Sequence, residues 1–261
     1  MKRVLLLDDD ADVRALLKTA LGALGLEVVE ARRAGDAERL LQQLGPVDVA
    51  VVDGLLPDGP GLEFVERLRG RDRQVRVVFL SAYYRDVDTF QQLTQELDVS
   101  LVAYKPVEPE RFAAQIAGLA GAREAAEAGP AKEVVIRAPH PTAMPLGPAL
   151  AALYRQFTEQ LPAKIGAIED EVTAARTDPR RLARARDLVH ALHGSAGSYG
   201  FAAVSESMGI AEYLLADAAA QGATQRPYFW EELQASLREA RAAHARALAA
   251  LRASEPQEGP R

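Results

Sequence analysis

The chain has 261 residues and a formal net charge of −6, with 48% hydrophobic and 26% charged residues. At about 150 residues per domain, this length predicts two domains, and the composition excludes disorder over most of the chain. The 31 basic residues do not outnumber the 37 acidic ones, and cysteine is absent, which argues against nucleic acid as a partner and excludes a disulfide framework or a zinc-thiolate site.

The first residues contain no targeting signal. After Met1-Lys2-Arg3, the apolar run from Val4 to Leu7 meets three aspartates. Such a run is too short for a signal-peptide core or a membrane span. We therefore expect a cytoplasmic protein without a membrane partner.

The first 120 residues alternate between short β-like runs and stretches with helical spacing. The runs are Val4–Leu7, Glu27–Ala31, Val47–Val52, Val75–Leu80 and Ser100–Tyr104. Three of them are almost purely apolar, as strands buried on both faces of a parallel sheet are. Five β-then-α units predict a (βα)5 doubly wound α/β domain over residues 1–121.

The rest of the chain has a different period. Residues 122–145 contain four prolines and no sustained period, and we interpret them as a linker. Over 146–253 apolar residues recur every three or four positions, in four stripes. Thr177-Asp178-Pro179 begins the second of them, and Gly200, Gly222 and Pro227 mark the later connections. This pattern predicts an antiparallel four-helix bundle. The tail, 254–261, is expected to be disordered.

Carboxylates follow two strands of the predicted sheet. Asp8, Asp9 and Asp10 come directly after the first strand, and Asp53 closes the third. Carboxylates gathered at neighbouring strand ends would repel one another, and a divalent cation relieves that repulsion. A purely oxygen ligand set suits Mg²⁺. The alternative for any single aspartate, Asp10 or Asp12 above all, is that it caps the following helix.

Two further polar residues end strands. Ser81 ends the fourth run, and Lys105 ends the fifth. A carboxylate cluster with a hydroxyl and an ammonium suits phosphoryl transfer onto a carboxylate, in which the metal and the ammonium neutralise charge and an aspartate is the nucleophile.

The motifs LLLDDDADVR, VVDGLLPDGPG, FLSA and YKP resemble those of response-regulator receiver domains, in the same order and spacing over residues 1–121. The resemblance implies that Asp53 is the phosphoacceptor and that Asp8 and Asp9 are the acidic pair that holds Mg²⁺. It also implies that Leu55 supplies a backbone carbonyl to the metal.

The same resemblance makes Ser81 the hydroxyl residue and Lys105 the lysine of the family, followed by Pro106 after a cis peptide. One position departs from the pattern. Three residues before the lysine, where the family usually has Tyr or Phe, the chain has Val102, and the aromatic residue is Tyr104.

The second helix of the predicted bundle contains a candidate histidine. On a helical projection, His190 lies about 140° from the centre of the apolar sector, so we expect it to face solvent. Gly194 and Gly197 follow it, although glycine costs about 1 kcal/mol inside a helix. These glycines suggest an open approach to His190. The alternatives are an ordinary surface histidine and glycines that mark close helix packing.

The segment HALHGSAGSYG resembles the HxLKGxxxxxG signature of histidine-phosphotransfer (HPt) domains, over about 146–252. The resemblance implies that His190 is the phosphoacceptor and that Gly194 and Gly200 are the small residues of the signature. His193 stands where the family has lysine, and it is either structural or a phosphate contact. Arg186, one turn before His190, is the candidate that compensates for the missing lysine charge.

Together, the two resemblances predict a receiver–HPt fusion that carries a phosphoryl group on Asp53 and His190. Its expected partners are an upstream sensor histidine kinase and a downstream receiver or HPt protein. The chain has no P-loop and no kinase-type glycine-rich loop, so we do not expect a kinase in its own right. Two alternatives are an adaptor whose bundle only binds or dimerises, with His190 incidental, and a scaffold that functions without phosphorylation.

Overall fold

The computed structural model describes residues 1–81, 91–121, 147–221 and 228–254. The chain divides into two compact units, residues 1–153 and 154–261, and each is treated by itself. The boundary falls within a helix. The predicted linker, Leu146 at the start of the predicted bundle and all but the first residue of the predicted tail lie outside the described residues.

The first unit contains a five-stranded parallel sheet, as predicted. Its strands are β1 (Arg3–Leu7), β2 (Glu27–Ala31), β3 (Val49–Asp53), β6 (Arg76–Ser81) and β7 (Leu101–Tyr104), in the order β2-β1-β3-β6-β7. A two-stranded hairpin, which the sequence patterns did not predict, joins β4 (Leu55–Leu56) to β5 (Gly59–Pro60) directly after β3.

Helices connect these strands. They are α1 (Ala11–Ala23), α2 (Ala34–Leu44), α3 (Gly61–Arg71) and α4 (Pro109–Gly121), with a π-helical segment at Gln92–Glu96. Side chains on a strand point alternately to the two faces of a sheet. Leu5 and Leu7 therefore pack on one face, in a core shared with Phe64 and Leu68 of α3.

This topology brings the ends of β1 and β3 together. The two strands are parallel neighbours, and Leu7 is paired with Val52. β6 lies on the other side of β3 and pairs Leu80 with Asp53. The residues that follow these pairs therefore meet at one edge of the sheet, where ligands bind in open α/β folds.

The second unit is helical. Its helices are α5 (Pro148–Ala175), which begins before the unit boundary, α6 (Arg181–Ser198), α7 (Ala202–Gln221) and α8 (Phe229–Ser254). Many residues of the predicted apolar stripes are buried, among them Phe157, Val189, Met208 and Leu237. α6 ends before Gly200, whose φ of 82° lies in the left-handed region that glycine adopts readily.

Within the described residues, no helix is both long enough and apolar enough to cross a membrane.

Candidate functional site

Three carboxylates meet at the edge of the sheet where β1 and β3 end. Asp8 and Asp53 are almost completely buried, and Asp9 is half-buried. One oxygen atom from each of the three lies within 4.8 Å of the other two. Clustered carboxylates disfavour each other's ionised form, so this pocket requires positive charge.

Lys105 supplies one positive charge from the end of β7. Its Nζ donates hydrogen bonds to Asp8 Oδ2 at 2.8 Å and to Asp53 Oδ2 at 2.9 Å. Burial lowers the pKa of the Lys105 ammonium, but Asp53 and Asp8 outweigh burial and raise that pKa above its ordinary value. The lysine therefore stays charged, and it orients the Asp53 carboxylate.

Backbone hydrogen bonds position the residues at the strand ends. The Lys105 N–H donates to the Ser81 carbonyl oxygen at 2.9 Å, and Ser81 is buried at the end of β6. The peptide bond between Lys105 and Pro106 is cis, as expected. Leu55 lies in β4, two residues after Asp53, and is 40% exposed.

Val102 and Tyr104 lie on the last strand of the sheet. Val102 is buried in the core, and Tyr104 packs against that core while staying partly exposed. The usual position of the family's aromatic residue is therefore filled by a buried aliphatic side chain.

Asp10 has a structural role. Its Oδ1 accepts the Asp12 N–H at 2.8 Å and caps α1, the capping role that the sequence left open for it. Its Oδ2 is buried without a hydrogen-bond partner among the described residues. Burial and the neighbouring Asp8 charge raise the pKa of Asp10 to about 7, so the carboxyl group is partly protonated at neutral pH.

The sequence analysis did not single out Asp58, in the β4–β5 hairpin. Its two carboxylate oxygens accept the N–H groups of Ala34 and Gly35, each at 3.0 Å, at the start of α2. Burial raises the pKa of Asp58, but these backbone hydrogen bonds outweigh it and lower the pKa below its ordinary value. Asp58 thus attaches the hairpin after Asp53 to a neighbouring helix. In the sequence, an aspartate followed by a glycine, as at Asp58 and Gly59, is typical of the tight turn in a hairpin.

In the second unit, one carboxylate binds two histidines. Glu212 of α7 accepts from His190 Nδ1 at 2.5 Å and from His193 Nδ1 at 2.8 Å. The His190 side chain is only 12% exposed, and that of His193 is 24% exposed. The ring is therefore more buried than the sequence predicted, and it contacts Glu212 of α7 on this side of α6.

The charge of Glu212 determines which nitrogen of each ring carries hydrogen. Burial raises the pKa of Glu212, but the hydrogen bonds from His190 and His193 outweigh burial and lower the pKa to about 2. An ionised carboxylate only accepts hydrogen bonds. Both Nδ1 atoms must therefore carry hydrogen, and in a neutral His190 the lone pair lies on Nε2.

The glycine one turn after His190 lies where α6 and α7 pack closely. Gly194 is buried, and the Ser205 hydroxyl of α7 donates to the His193 carbonyl oxygen at 2.8 Å. The predicted open approach at Gly194 is therefore wrong, and the alternative of close helix packing holds. Arg186, one turn before His190, is exposed.

The sequence analysis also missed Glu212. A signal was present, because Glu212 adjoins Ala211 on the apolar stripe of α7, where an acidic residue requires a partner. His244, by contrast, was expected in the core or at its boundary, and it is buried against Phe201.

Comparison with known families finds a match for each of the two parts of the chain. A family described as "Response regulator receiver domain" matches residues 4–117, and one described as "Hpt domain" matches residues 152–243. The chain is a receiver domain joined to an Hpt domain. The two domains together are those of a two-component phosphorelay protein.

Curated relatives match part of the chain. "Response regulator protein PilR" of Pseudomonas aeruginosa is 37% identical over 82 residues, which are 31% of this chain and 18% of that protein. "Transcriptional regulatory protein TrcR" of Mycobacterium tuberculosis is 36% identical over 117 residues, 45% of this chain and 44% of that protein. The chain thus spans less than half the length of either relative.

Solved structures of receiver domains also match part of the chain. A CheY-like receiver domain protein from Methanospirillum hungatei is 24% identical, with a TM-score of 0.44, and the match covers 48% of this chain and 98% of that one.

Proposed function

We propose that this receiver–Hpt protein is a phosphorelay intermediate that carries a phosphoryl group on Asp53 and on His190 and exchanges it with partner proteins. The observation that carries the proposal is the position of Lys105, within 3 Å of both Asp8 and Asp53 in a pocket with a third carboxylate. A buried carboxylate that is oriented by an ammonium group is equipped to act as a nucleophile.

The first step takes place at Asp53. A carboxylate oxygen attacks the phosphorus of the donor, the donor's P–N or P–O bond breaks, and an acyl phosphate forms. Lys105 orients Asp53 before the reaction and binds phosphoryl oxygen afterwards, because its ammonium lies at the carboxylate. The buried Ser81, at the end of the adjacent strand, supplies a hydroxyl to the same group.

Mg²⁺ fits this pocket, because three carboxylates approach within 4.8 Å of one another and Lys105 offsets only part of their charge. Asp8, Asp9 and Asp53 would hold the ion, together with the backbone carbonyl of Leu55. The bound ion would neutralise charge on the carboxylates and the phosphoryl oxygens.

The second step takes place at His190. Nε2 of the neutral ring attacks phosphorus, the acyl P–O bond breaks, and the carboxylate of the donor aspartate is regenerated. The ring gains positive charge as the N–P bond forms. The Glu212 carboxylate stabilises that charge through Nδ1, as the carboxylate of a hydrolase triad stabilises its imidazolium.

We propose one class of partner upstream of the chain and one class downstream of it. A sensor histidine kinase supplies the phosphoryl group, and a further receiver or Hpt protein removes it. The proposal includes no kinase activity of the chain itself, because the sequence contains neither a P-loop nor a kinase-type glycine-rich loop.

The experiment that tests this function uses the chemical lability of the label. The whole chain is incubated with radiolabelled acetyl phosphate or phosphoramidate, and the label is challenged with acid and with base. We expect a base-labile acyl phosphate that Asp53→Asn removes and an acid-labile phosphoramidate bond that His190→Gln removes. Label on Asp53 alone would instead favour the adaptor whose bundle only binds.

A further inference from the structure

The β4–β5 hairpin follows Asp53, and the side chain of Asp58 joins this hairpin to helix α2. We propose that Asp58 is a positioning residue that holds the hairpin in the place where it binds Mg²⁺, and that bound Mg²⁺ in turn strengthens the contact between the hairpin and α2. The inference rests on the proposed function, because Leu55 in this hairpin is the residue whose backbone carbonyl would bind the ion.

Helix α2 begins without a capping side chain of its own. Its N-cap residue is Arg33, whose side chain makes no capping hydrogen bond. The first N–H groups of a helix have no partner within the helix, and a side-chain oxygen usually accepts from them. Here both oxygens come from Asp58, which lies 24 residues after Ala34 and 23 residues after Gly35. The hairpin therefore supplies the cap that the local sequence lacks.

The hairpin is too short to be rigid by itself. Its strands have two residues each, and they pair Leu55 with Pro60 and Leu56 with Gly59. Even a longer isolated hairpin is only marginally stable in water. Because Asp58 lies in the turn and uses both carboxylate oxygens, it fixes the turn on a neighbouring helix. The orientation of the hairpin thus depends on a contact outside the hairpin.

The other end of the hairpin is attached to the sheet. The Gly54 N–H donates to the Leu80 carbonyl oxygen of β6 at 2.7 Å, and the Gly61 N–H donates to the Gly54 carbonyl oxygen at 2.9 Å. Leu55 follows this attachment directly and precedes Asp58 by three residues. Its backbone is therefore held from both sides, and loss of the Asp58 contact would release one of them.

Charge strengthens the contact between Asp58 and α2. Burial raises the pKa of Asp58, but the N–H groups of Gly35 and Ala34 outweigh burial and lower that pKa, so the carboxylate is ionised at neutral pH. An ionised acceptor makes a stronger hydrogen bond than a neutral one, and a negative charge is favourable at the N-terminus of a helix. An asparagine at this position would bind more weakly, and an alanine would not bind at all.

The coupling between Mg²⁺ and this contact operates in both directions. If the Asp58 contact favours the hairpin position that binds Mg²⁺, then Mg²⁺ favours the Asp58 contact by the same factor, because linked equilibria are reciprocal. The amide hydrogens of Ala34 and Gly35 report on the contact, since their exchange with solvent requires that the structure opens locally. Binding of the ion beside Asp53 should therefore be detectable at the start of α2.

The test measures binding of Mg²⁺ alone to the whole chain, followed by the amide NMR signals of Gly54 and Leu55. The variants are Asp58→Ala, which removes both acceptor oxygens, and Asp58→Asn, which keeps one. The matched control is Asp36→Asn. Asp36 is also an acidic residue in the first turn of α2, but its ion pair is with Arg39 of the same helix.

We expect Asp58→Ala to weaken Mg²⁺ binding about tenfold, as for the loss of a group that orients a metal ligand. Asp58→Asn should weaken it less, and Asp36→Asn should bind Mg²⁺ as the parent chain does. In the parent, saturating Mg²⁺ should slow hydrogen exchange at Ala34 and Gly35 by a factor similar to the loss of affinity. In Asp58→Ala, Mg²⁺ should leave this exchange unchanged.

A second substitution separates positioning from stability. Arg33 has a φ of −142° and a ψ of 153°, the extended conformation of an N-cap residue, and serine is a good residue at that position. Arg33→Ser in the Asp58→Ala background therefore gives α2 a cap of its own. This double variant should recover the thermal stability that Asp58→Ala loses, but not the Mg²⁺ affinity, because the serine does not hold the hairpin.

Three results would overturn the inference while the proposed function stands. They are parent-like Mg²⁺ affinity in Asp58→Ala, recovery of that affinity by Arg33→Ser, and Mg²⁺-independent exchange at Ala34 and Gly35 in the parent chain. If the parent chain binds no Mg²⁺, the inference fails together with the proposed metal site. If it binds Mg²⁺ but takes up no phosphoryl group, the proposed function fails, and the measured affinities still decide the role of Asp58.

Discussion

Gly61 lies directly against the backbone of Asp53. A Cβ atom at position 61 would come within 1.9 Å of the Asp53 carbonyl oxygen, and the Gly61 N–H donates to the carbonyl oxygen of Gly54 at 2.9 Å. The first residue of α3 is therefore packed against the strand end that carries the proposed phosphoacceptor. Only glycine fits there without moving that strand end.

Gly61→Ala should destabilise the receiver domain and displace Asp53. The added methyl group overlaps backbone atoms that cannot rotate away, and overpacking of this kind costs about 1–3 kcal/mol. Urea unfolding followed by circular dichroism measures the loss. Trp230, the single tryptophan, lies in α8, and its fluorescence follows the helical unit separately.

The matched control for this substitution is Gly70→Ala in the same helix. A Cβ atom at position 70 meets nothing within 4 Å, and alanine is the better helix former by up to about 1 kcal/mol. Gly70→Ala should therefore leave the stability unchanged or raise it. Equal destabilisation by both substitutions would show that the contact with Asp53 has no special effect.

The positions of the catalytic candidates in the receiver could be predicted from the sequence, because each follows an apolar run. Asp53 and Ser81 are the last residues of their strands, and Asp8 and Lys105 directly follow theirs. Parallel strands bring these ends to one edge. Gly61 and Asp58 could not be predicted in the same way. Their contacts join segments whose relative distance depends on the folded hairpin and helices, and no local period in the sequence expresses that distance.

Mg²⁺ should stabilise the receiver domain through its acidic cluster. Binding of an ion to the folded state alone raises the stability in proportion to the logarithm of its concentration. We expect the thermal midpoint to rise when millimolar Mg²⁺ is added and to return when EDTA removes it. Asp9→Asn should abolish most of this rise, because Asp9 provides one of the three clustered carboxylates.

Asp12→Asn is the control for the loss of an acidic residue. Asp12 lies in the first turn of α1 and does not belong to the three-carboxylate cluster. This variant should respond to Mg²⁺ as the parent chain does. An unchanged Mg²⁺ response in Asp9→Asn would contradict the assignment of the site.

The Hpt domain should lose stability in acid through Glu212. The pKa of this carboxylate is lowered from 4.5 to about 2 in the folded domain. Its contribution is complete above pH 4.5 and is lost as the pH falls from there toward about 2, because the unfolded chain then binds the proton first. Such a lowering corresponds to roughly 3 kcal/mol of stability.

Chemical unfolding followed by Trp230 fluorescence between pH 6 and pH 2 tests this dependence. Glu212→Gln should be less stable than the parent chain at pH 6, and the difference should shrink toward pH 2. The exposed Glu206→Gln should follow the parent chain throughout. A constant difference between Glu212→Gln and the parent over the whole range would contradict the charged role of Glu212.

In the helical unit, sequence periodicity predicted the helices but not the surroundings of His190. The apolar stripes predicted four helices and their buried residues, including Val189 and Met208. A projection of α6 alone placed His190 away from the apolar sector, but it contained no information on which helix covers that side. The partial burial of His190 and its hydrogen bond to Glu212 arise from the packing of α7, and only the tertiary structure contains them.

The central claim is that one chain carries phosphoryl groups on two residues of different chemistry. Intact-mass measurement after treatment with phosphoramidate and Mg²⁺, at neutral pH to preserve labile bonds, tests it most directly. The account predicts up to two added phosphoryl groups on the parent chain, one on Asp53→Asn, one on His190→Gln and none on the double variant. Phosphorylation that persists in the double variant, or a parent chain that never carries more than one group, would contradict it.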